Sequence, residues 1–256
     1  MIIRKTPEQI DKIAAAGEIH SRAMQLVAGK IAAGVTTGEL DETVERFIRS
    51  QGAEPSFKGY NGFPGSICAS PNSMVVHGIP GSYTLADGDI LSVDIGVTLD
   101  GWVADAACTF PVGEVSVEAE SLIAVTEASL LASVDQVQVG GRIGDISHAV
   151  QTVAEAEGFS VVRTLVGHGV GQSMHEEPQI PNYGPAGRGP KLEAGMVLAI
   201  EPMITAGGHA VRIAPDGWSI FTQDGSLAAH FEFTVAVTED GPRILTPWHK
   251  LLGGGS

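Results

Sequence analysis

The chain has 256 residues, of which 43% are hydrophobic and 18% charged, and its formal net charge is −15. That composition suits a globular protein with one sizeable core or two small ones. The acidic balance argues against a protein that lives by gripping nucleic acid, which needs a basic face. Two cysteines, Cys68 and Cys108, are too few for a disulfide framework and point to a reducing cytosol. No charged-then-apolar leader opens the chain, and no uninterrupted apolar stretch is long enough to cross a bilayer.

The first predicted element is a helix capped by Thr6, with Pro7 at its first position and Gln9 placed for a capping box. Ile10, Ile13, Met24 and Val27 then recur at roughly helical spacing. A second helix is expected from Thr37 to about Gln51, stopped by Gly52, and further helices near 116–136 and 144–157. Strand-like runs stand at 89–98, 102–110, 196–201, 211–221 and 229–238. No long linker interrupts them, so residues 1–248 are expected to form one continuous unit. Residues 249–256 are read as a tail, its closing Gly253-Gly254-Gly255-Ser256 resembling an expression linker.

The chain repeats itself internally. Gly34, Gly38, Glu39, Leu40 and Gly52 are matched 106 residues later by Gly140, Gly144, Asp145, Ile146 and Gly158. Leu85, Gly88 and Asp94 are matched 107 residues later by Leu192, Gly195 and Glu201. Each half (about 1–113 and 114–248) therefore reads helix, helix, turn glycine, strand, acidic residue. A duplicated α+β unit of this kind would build a pseudo-twofold antiparallel sheet covered by helices, with a site between the halves drawing ligands from both.

The acidic residues carry the chemistry. Asp100-Gly101 is a strong two-residue hairpin signal, which would set Asp105 opposite Gly96 and leave Asp94 on the same face, diagonally adjacent. Two carboxylates on so apolar a hairpin would repel and lose hydration unless they shared a cation. Glu201 and Glu232 also sit in apolar strands, where acids seldom stay unpaired. His168 stands among Gly167, Gly169 and Gly171, whose missing side chains would let the backbone approach a ligand. Taken singly, either aspartate could face solvent, either glutamate could be a structural acid, and His168 could be a turn residue. Taken together, four carboxylates and one imidazole suit two divalent ions such as Mn, Fe(II) or Co.

Asp94 with Asp105 eleven residues on, then His168, Glu201 and Glu232, resembles the pita-bread metallopeptidases. The segments VVHGIP (75–80), GHGVGQSMHEEPQIPNYG (167–184) and GMVLAIEPMI (195–204) narrow the resemblance to the methionine aminopeptidases. The short interval from Glu201 to Glu232, and the lack of a Cys-rich N-terminal extension, resemble the compact bacterial type I form. The resemblance implies two divalent metal ions (Co, Mn or Fe(II)) held by Asp94, Asp105, His168, Glu201 and Glu232. It implies that Asp105 and Glu232 bridge them and that Glu201 also serves as general base and acid. His175 would stabilise the scissile carbonyl and His77 would contact the scissile amide or the residue after it. Tyr60, Phe63, Cys68 and Trp218 would line a methionine pocket, with Phe57 and Met174 at its rim.

The implied activity is removal of N-terminal methionine from nascent chains with a small second residue. The implied setting is cytoplasmic, as a monomer in transient contact with the ribosome and without a membrane. Phe233, where many relatives carry a histidine, and Phe57, where some bacterial ones carry a cysteine, depart from the pattern. The rival readings are a proline-specific peptidase of the same fold and a non-catalytic peptide-binding module.

Overall fold

A computed structural model of the protein describes residues 1–252. Its helices start where capping chemistry sets them. Helix α1 (Pro7–Ala28) opens at Thr6, whose hydroxyl accepts from the Gln9 N–H while the Gln9 side chain accepts from the Thr6 N–H. Helix α2 (Thr37–Ser50) repeats this reciprocal cap with Thr36 and Glu39. Helix α3 (Val117–Val134) is capped by the Ser116 hydroxyl, and helix α4 (Ile143–Ala156) by Asp145, which accepts from the Arg142 N–H. A last helical turn, α5 (Trp248–Leu251), lies where the tail was expected to begin. The buried Trp248 anchors it, donating its indole N–H to the Glu232 carbonyl at 3.1 Å. The expected linker at 253–256 lies outside the described residues.

The central hairpin follows its turn. Asp100 (φ 49) and Gly101 (φ 77) both adopt the left-handed conformation that a two-residue hairpin turn requires. Strand Ile90–Leu99 then pairs with Trp102–Pro111 so that Gly96 faces Asp105 and Asp94 faces Ala107. Along the other edge of Ile90–Leu99, Ile67–Pro71 pairs with residues 91–95 and Glu54–Pro55 with 97–98, completing a four-stranded antiparallel sheet. The second half builds a five-stranded antiparallel sheet in the order Gly241–Ile244, Phe233–Thr238, Val197–Ile200, Val166–Gly169, Glu176–Pro181. Helix α1 packs on the first hairpin and on α2, while α3 packs against α4. One apolar cluster joins both halves, from Ile13 and Leu91 to Leu198 and Val235.

The internal repeat is visible in the backbone. Gly34 and Gly140 take φ of +91° and +93°, and Gly88 and Gly195 take +94° and +93°. The Gly34 N–H donates to the Leu85 carbonyl, and the Gly140 N–H to that of Leu192. Only glycine enters this region of φ without strain, which is why these positions mark the duplication so clearly.

Two expected strands are each split. The run at 211–221 becomes Val211–Ile213 and Ile220–Thr222, separated by a turn in which Asp216 accepts the N–H groups of Trp218 and Ser219. The run at 229–238 becomes Ala228–His230 and Phe233–Thr238, which join different sheets. Val197–Ile200 and Met203–Thr205 separate in the same way at Glu201-Pro202. Met203 pairs with His230 and Ile200 with Phe233, so the two interruptions lie opposite each other. Glu201 and Glu232 occupy them.

Candidate metal centre and pocket

A cavity of about 270 Å³ is lined by every site residue expected from the sequence: Asp94, Asp105, His168, Glu201 and Glu232, His77 and His175, and Tyr60, Phe63, Cys68 and Trp218. Phe57 joins the wall as expected, and Asn61 joins it without having been foreseen. Met174 is buried and lies beside Phe57 over Gly96, behind the wall rather than on it.

His168 sits in a strand, not in a ligand-approaching loop. Val166–Gly169 lies between Val197–Ile200 and Glu176–Pro181. The flanking glycines serve the neighbouring strands. A Cβ on Gly167 would stand 2.4 Å from the Ala199 carbonyl oxygen, and one on Gly169 would stand 2.3 Å from that of Glu177. The His168 Nδ1 lies 2.9 Å from the Gly169 carbonyl. A carbonyl only accepts, so Nδ1 carries the hydrogen and Nε2 keeps its lone pair for the cavity. Burial, then the nearby His175, lowers the His168 pKa to about 4, so that lone pair is free at neutral pH.

The carboxylates are the reverse case. Asp105 is raised to about 7 by burial, against the pull of Asp94 and the Ala106 N–H. Asp94 is pushed well above the carboxylate range by burial, then by the charges of Asp105 and Glu201. Glu201 is raised by burial and Asp105, and Glu232 by burial, Asp105, Glu201 and Asp94. Among the described residues no lysine or arginine lines the cavity to offset them. The buried oxygens Asp94 Oδ1, Asp105 Oδ1 and Glu232 Oε1 have no hydrogen-bond partner. Asp105, His168 and Glu232 each bring a donor atom within 4.8 Å of the others. Unpartnered buried acceptors cost stability unless something satisfies them, and hard oxygen donors with one imidazole fit divalent cations.

The opposite end of the cavity is apolar. The rings of Phe63 and Trp218 meet edge to face at 5.1 Å. Cys68 pairs with Asp94 across the sheet, and burial followed by the charges of Asp94 and Asp105 holds its thiol protonated. His175 stands between the two ends, its ring 4.3 Å from that of His168 and its Nδ1 2.8 Å from the Tyr60 hydroxyl. His77 directly follows strand Met74–Val76 and adopts the left-handed conformation, φ 58, a strained state for a non-glycine residue.

Three supports escape the sequence reading. The Thr234 hydroxyl bonds both the N–H and the carbonyl of Asp105, fixing a ligand strand across the two halves. His230 is buried beside Glu201 and Glu232; strand alternation from Glu232 could have found it. The third is a buried ion pair, Lys5 Nζ to Glu176 Oε2 at 2.7 Å, which no local pattern announces. Glu176 Oε1 also accepts the N–H groups of Gln172 and Ser173, so the pair holds the turn leading to His175. Lys5→Met leaves that buried carboxylate without its counter-charge. It is expected to lower stability by about 3–5 kcal/mol, read as a fall in the urea midpoint; an unchanged midpoint would contradict the role given to the pair.

A pseudo-twofold antiparallel fold with a buried cage of acids and an imidazole between its halves is that of a pita-bread metallopeptidase. The sequence profile of metallopeptidase family M24 matches residues 11–239, and the chain belongs to that family. It is 53% identical over 246 residues to methionine aminopeptidase 1 of Bacillus subtilis, covering 96% of this chain and 99% of the relative. A crystal structure of methionine aminopeptidase from Thermotoga maritima superposes with a TM-score of 0.95 at 43% identity, covering 96% of this chain and 99% of that one. A prolidase from Pyrococcus furiosus shares the fold, with a TM-score of 0.79 at 23% identity, over 95% of this chain and 65% of its own. Among the described residues no helix is long and apolar enough to cross a membrane.

Proposed function

We propose that the protein is a cytoplasmic methionyl aminopeptidase, which hydrolyses the first peptide bond of nascent chains whose second residue is small. The observation that carries this reading is one cavity with two unlike ends, the acid cage against a wall of Phe63, Cys68 and Trp218. That wall suits a flexible, polarisable thioether. The limited volume, about 270 Å³, suits a single terminal residue.

Asp94, Asp105, His168, Glu201 and Glu232 would hold two divalent ions, with Co, Mn and Fe(II) all compatible with the donor set. Bound there, such ions supply Lewis acidity towards water and the scissile carbonyl. The remaining roles fall to side chains. Glu201 takes the proton of the attacking water and delivers it to the leaving amine, as a positioned carboxylate can. The Tyr60 hydroxyl lies 2.8 Å from His175 Nδ1; donating there, it would keep the ring hydrogen on Nε2, to be offered to the carbonyl oxygen as negative charge develops. His77 contacts the scissile amide. Tyr60, Phe63, Cys68 and Trp218 hold the methionine side chain and keep water from it. The protein acts as a monomer in passing contact with the ribosome, which ultracentrifugation and ribosome co-sedimentation would test.

The direct assay uses chelator-treated protein on Met-Ala-Ser and on X-Pro peptides, with and without Mn or Co. Metal-dependent release of free methionine supports the reading. Cleavage of X-Pro peptides alone would move it to proline-specific peptidases, and no cleavage with any metal would leave a peptide-binding module. For the pocket, Trp218→Ala is expected to cut kcat/KM on Met-Ala-Ser by roughly tenfold or more, mainly by raising KM, since it removes packing made in ground and transition states alike. An unchanged KM would take Trp218 out of the pocket.

A further inference from the structure

His230 holds a place in the second half related to that of Asp105 in the first. The Thr234 hydroxyl bonds the N–H and carbonyl of Asp105 at 3.0 and 2.7 Å. The Thr109 hydroxyl bonds the N–H and carbonyl of His230, both at 2.9 Å. The threonine lies four residues beyond its counterpart in each half, so one clamp is used twice across the pseudo-dyad. Asp105 therefore points its carboxylate, and His230 its imidazole, towards the same centre.

The imidazole is buried, and its Nε2 has no hydrogen-bond partner. That nitrogen stands 3.7 Å from Glu201 Oε2 and 3.8 Å from Glu232 Oε2. The other oxygen of Glu201 faces His168 Nε2, also at 3.7 Å. Glu201 is thus flanked by one imidazole on each oxygen. His168 lines the cavity and His230 lies behind it. With divalent ions bound, both carboxylates are ionised and can only accept; His168 Nε2 faces the cavity, whereas a nitrogen that faces the two carboxylates from behind it carries a hydrogen rather than set a lone pair against theirs. We infer that His230 is a positioning residue whose Nε2–H, aimed between Glu201 and Glu232, holds both carboxylates and fixes which oxygen Glu201 turns to the substrate. The inference rests on the role proposed for Glu201, and it concerns orientation rather than contact with the reacting atoms.

The test compares wild type, His230→Leu and His230→Gln. Leucine fills similar space without a donor, and the glutamine amide restores an N–H. The expected result for His230→Leu is manganese affinity weakened about tenfold to a hundredfold by calorimetry, as for other groups that orient ligands. With it, kcat on Met-Ala-Ser falls about tenfold while KM stays within about twofold. His230→Gln recovers most of both. In zinc-loaded wild type, nitrogen NMR of His230 is expected to show the hydrogen on Nε2. Metal affinity and kcat unchanged in the leucine variant would overturn the inference. So would a folded glutamine variant no better than leucine, or a hydrogen on Nδ1 with Nε2 bare or ligating zinc. The NMR measurement needs no variant, so it decides the matter even where His230→Leu does not fold. If wild type releases no methionine, the aminopeptidase reading fails by itself, while affinity and tautomer still judge His230.

Discussion

Asp105→Asn is expected to abolish methionine release, by at least about a thousandfold in kcat/KM or ~4 kcal/mol of transition-state stabilisation, and at the same time to raise the melting temperature of the metal-free protein. The two halves of this result have one cause. Asp105 is buried beside Asp94, and its charge helps to raise Asp94, Glu201 and Glu232. Without a cation, the folded protein confines four acids together, three of them with an unpartnered buried oxygen. A neutral amide of the same shape relieves that repulsion, and replacing buried charge by neutral groups often stabilises by about 1–4 kcal/mol. At roughly 2–4 °C per kcal/mol for a chain somewhat shorter than this one, the gain is measurable by calorimetry. The same amide removes a carboxylate proposed to hold the ions, so the stabilisation that manganese gives wild type should largely disappear. A metal-free variant that melts below wild type, or one that keeps its activity, would contradict this account of the cage as stability given up for function.

What the sequence revealed, and what it hid, follows the range of the forces involved. The Asp94 and Asp105 pairing was legible because a two-residue turn fixes register locally: Asp100-Gly101 allows one alignment of its strands, and the structure has it. The duplication was legible because Gly34, Gly88, Gly140 and Gly195 hold backbone states few other residues tolerate. The break at Glu201-Pro202 was legible, because the strand-like run at 196–201 stops at the proline; the break at Phe231-Glu232 was not, because the run at 229–238 is continuous in hydrophobicity and what divides it is its two parts joining different sheets. The strand that carries His168 was not legible, because the glycines around it left a turn open, whereas Gly167 and Gly169 answer to carbonyls of Ala199 and Glu177 on adjacent strands. Lys5 and Glu176 lie 171 residues apart, so only the folded chain brings them together. The resemblance to a known family supplied the pocket residues, which hydrophobic patterning alone would have left as ordinary core.

The stability of the metal-free protein should fall as the pH rises above about 6.5, and manganese should abolish that fall. Two sets of buried groups act in opposite directions. His20, His168 and His230 have folded pKa values lowered to about 4, 4 and 3, chiefly by burial. Below about pH 6.5 the unfolded chain binds protons that these residues refuse when folded, so their contribution is lost as pH falls. For Asp94, Asp105, Glu201 and Glu232 the folded pKa values lie above the ordinary range, with Asp105 at about 7. Here the folded state keeps protons that the unfolded state has released, so stability declines as pH rises through the folded values. Between pH 4 and 6.5 the two sets oppose each other; above 6.5 the histidines are silent and only the carboxylates remain. The slope is then roughly −1.4 kcal/mol per pH unit for each extra proton held, or about 4 °C in melting temperature. Divalent ions replace those protons, so the loaded protein should hold or gain stability over the same interval, because metal affinity rises as ligands deprotonate. Melting curves from pH 6 to 8.5, with chelator and with manganese, would check this. A metal-free protein that gains stability with rising pH would mean that the cage acids are already ionised in the fold, and that solvent or a cation of the chain itself reaches them.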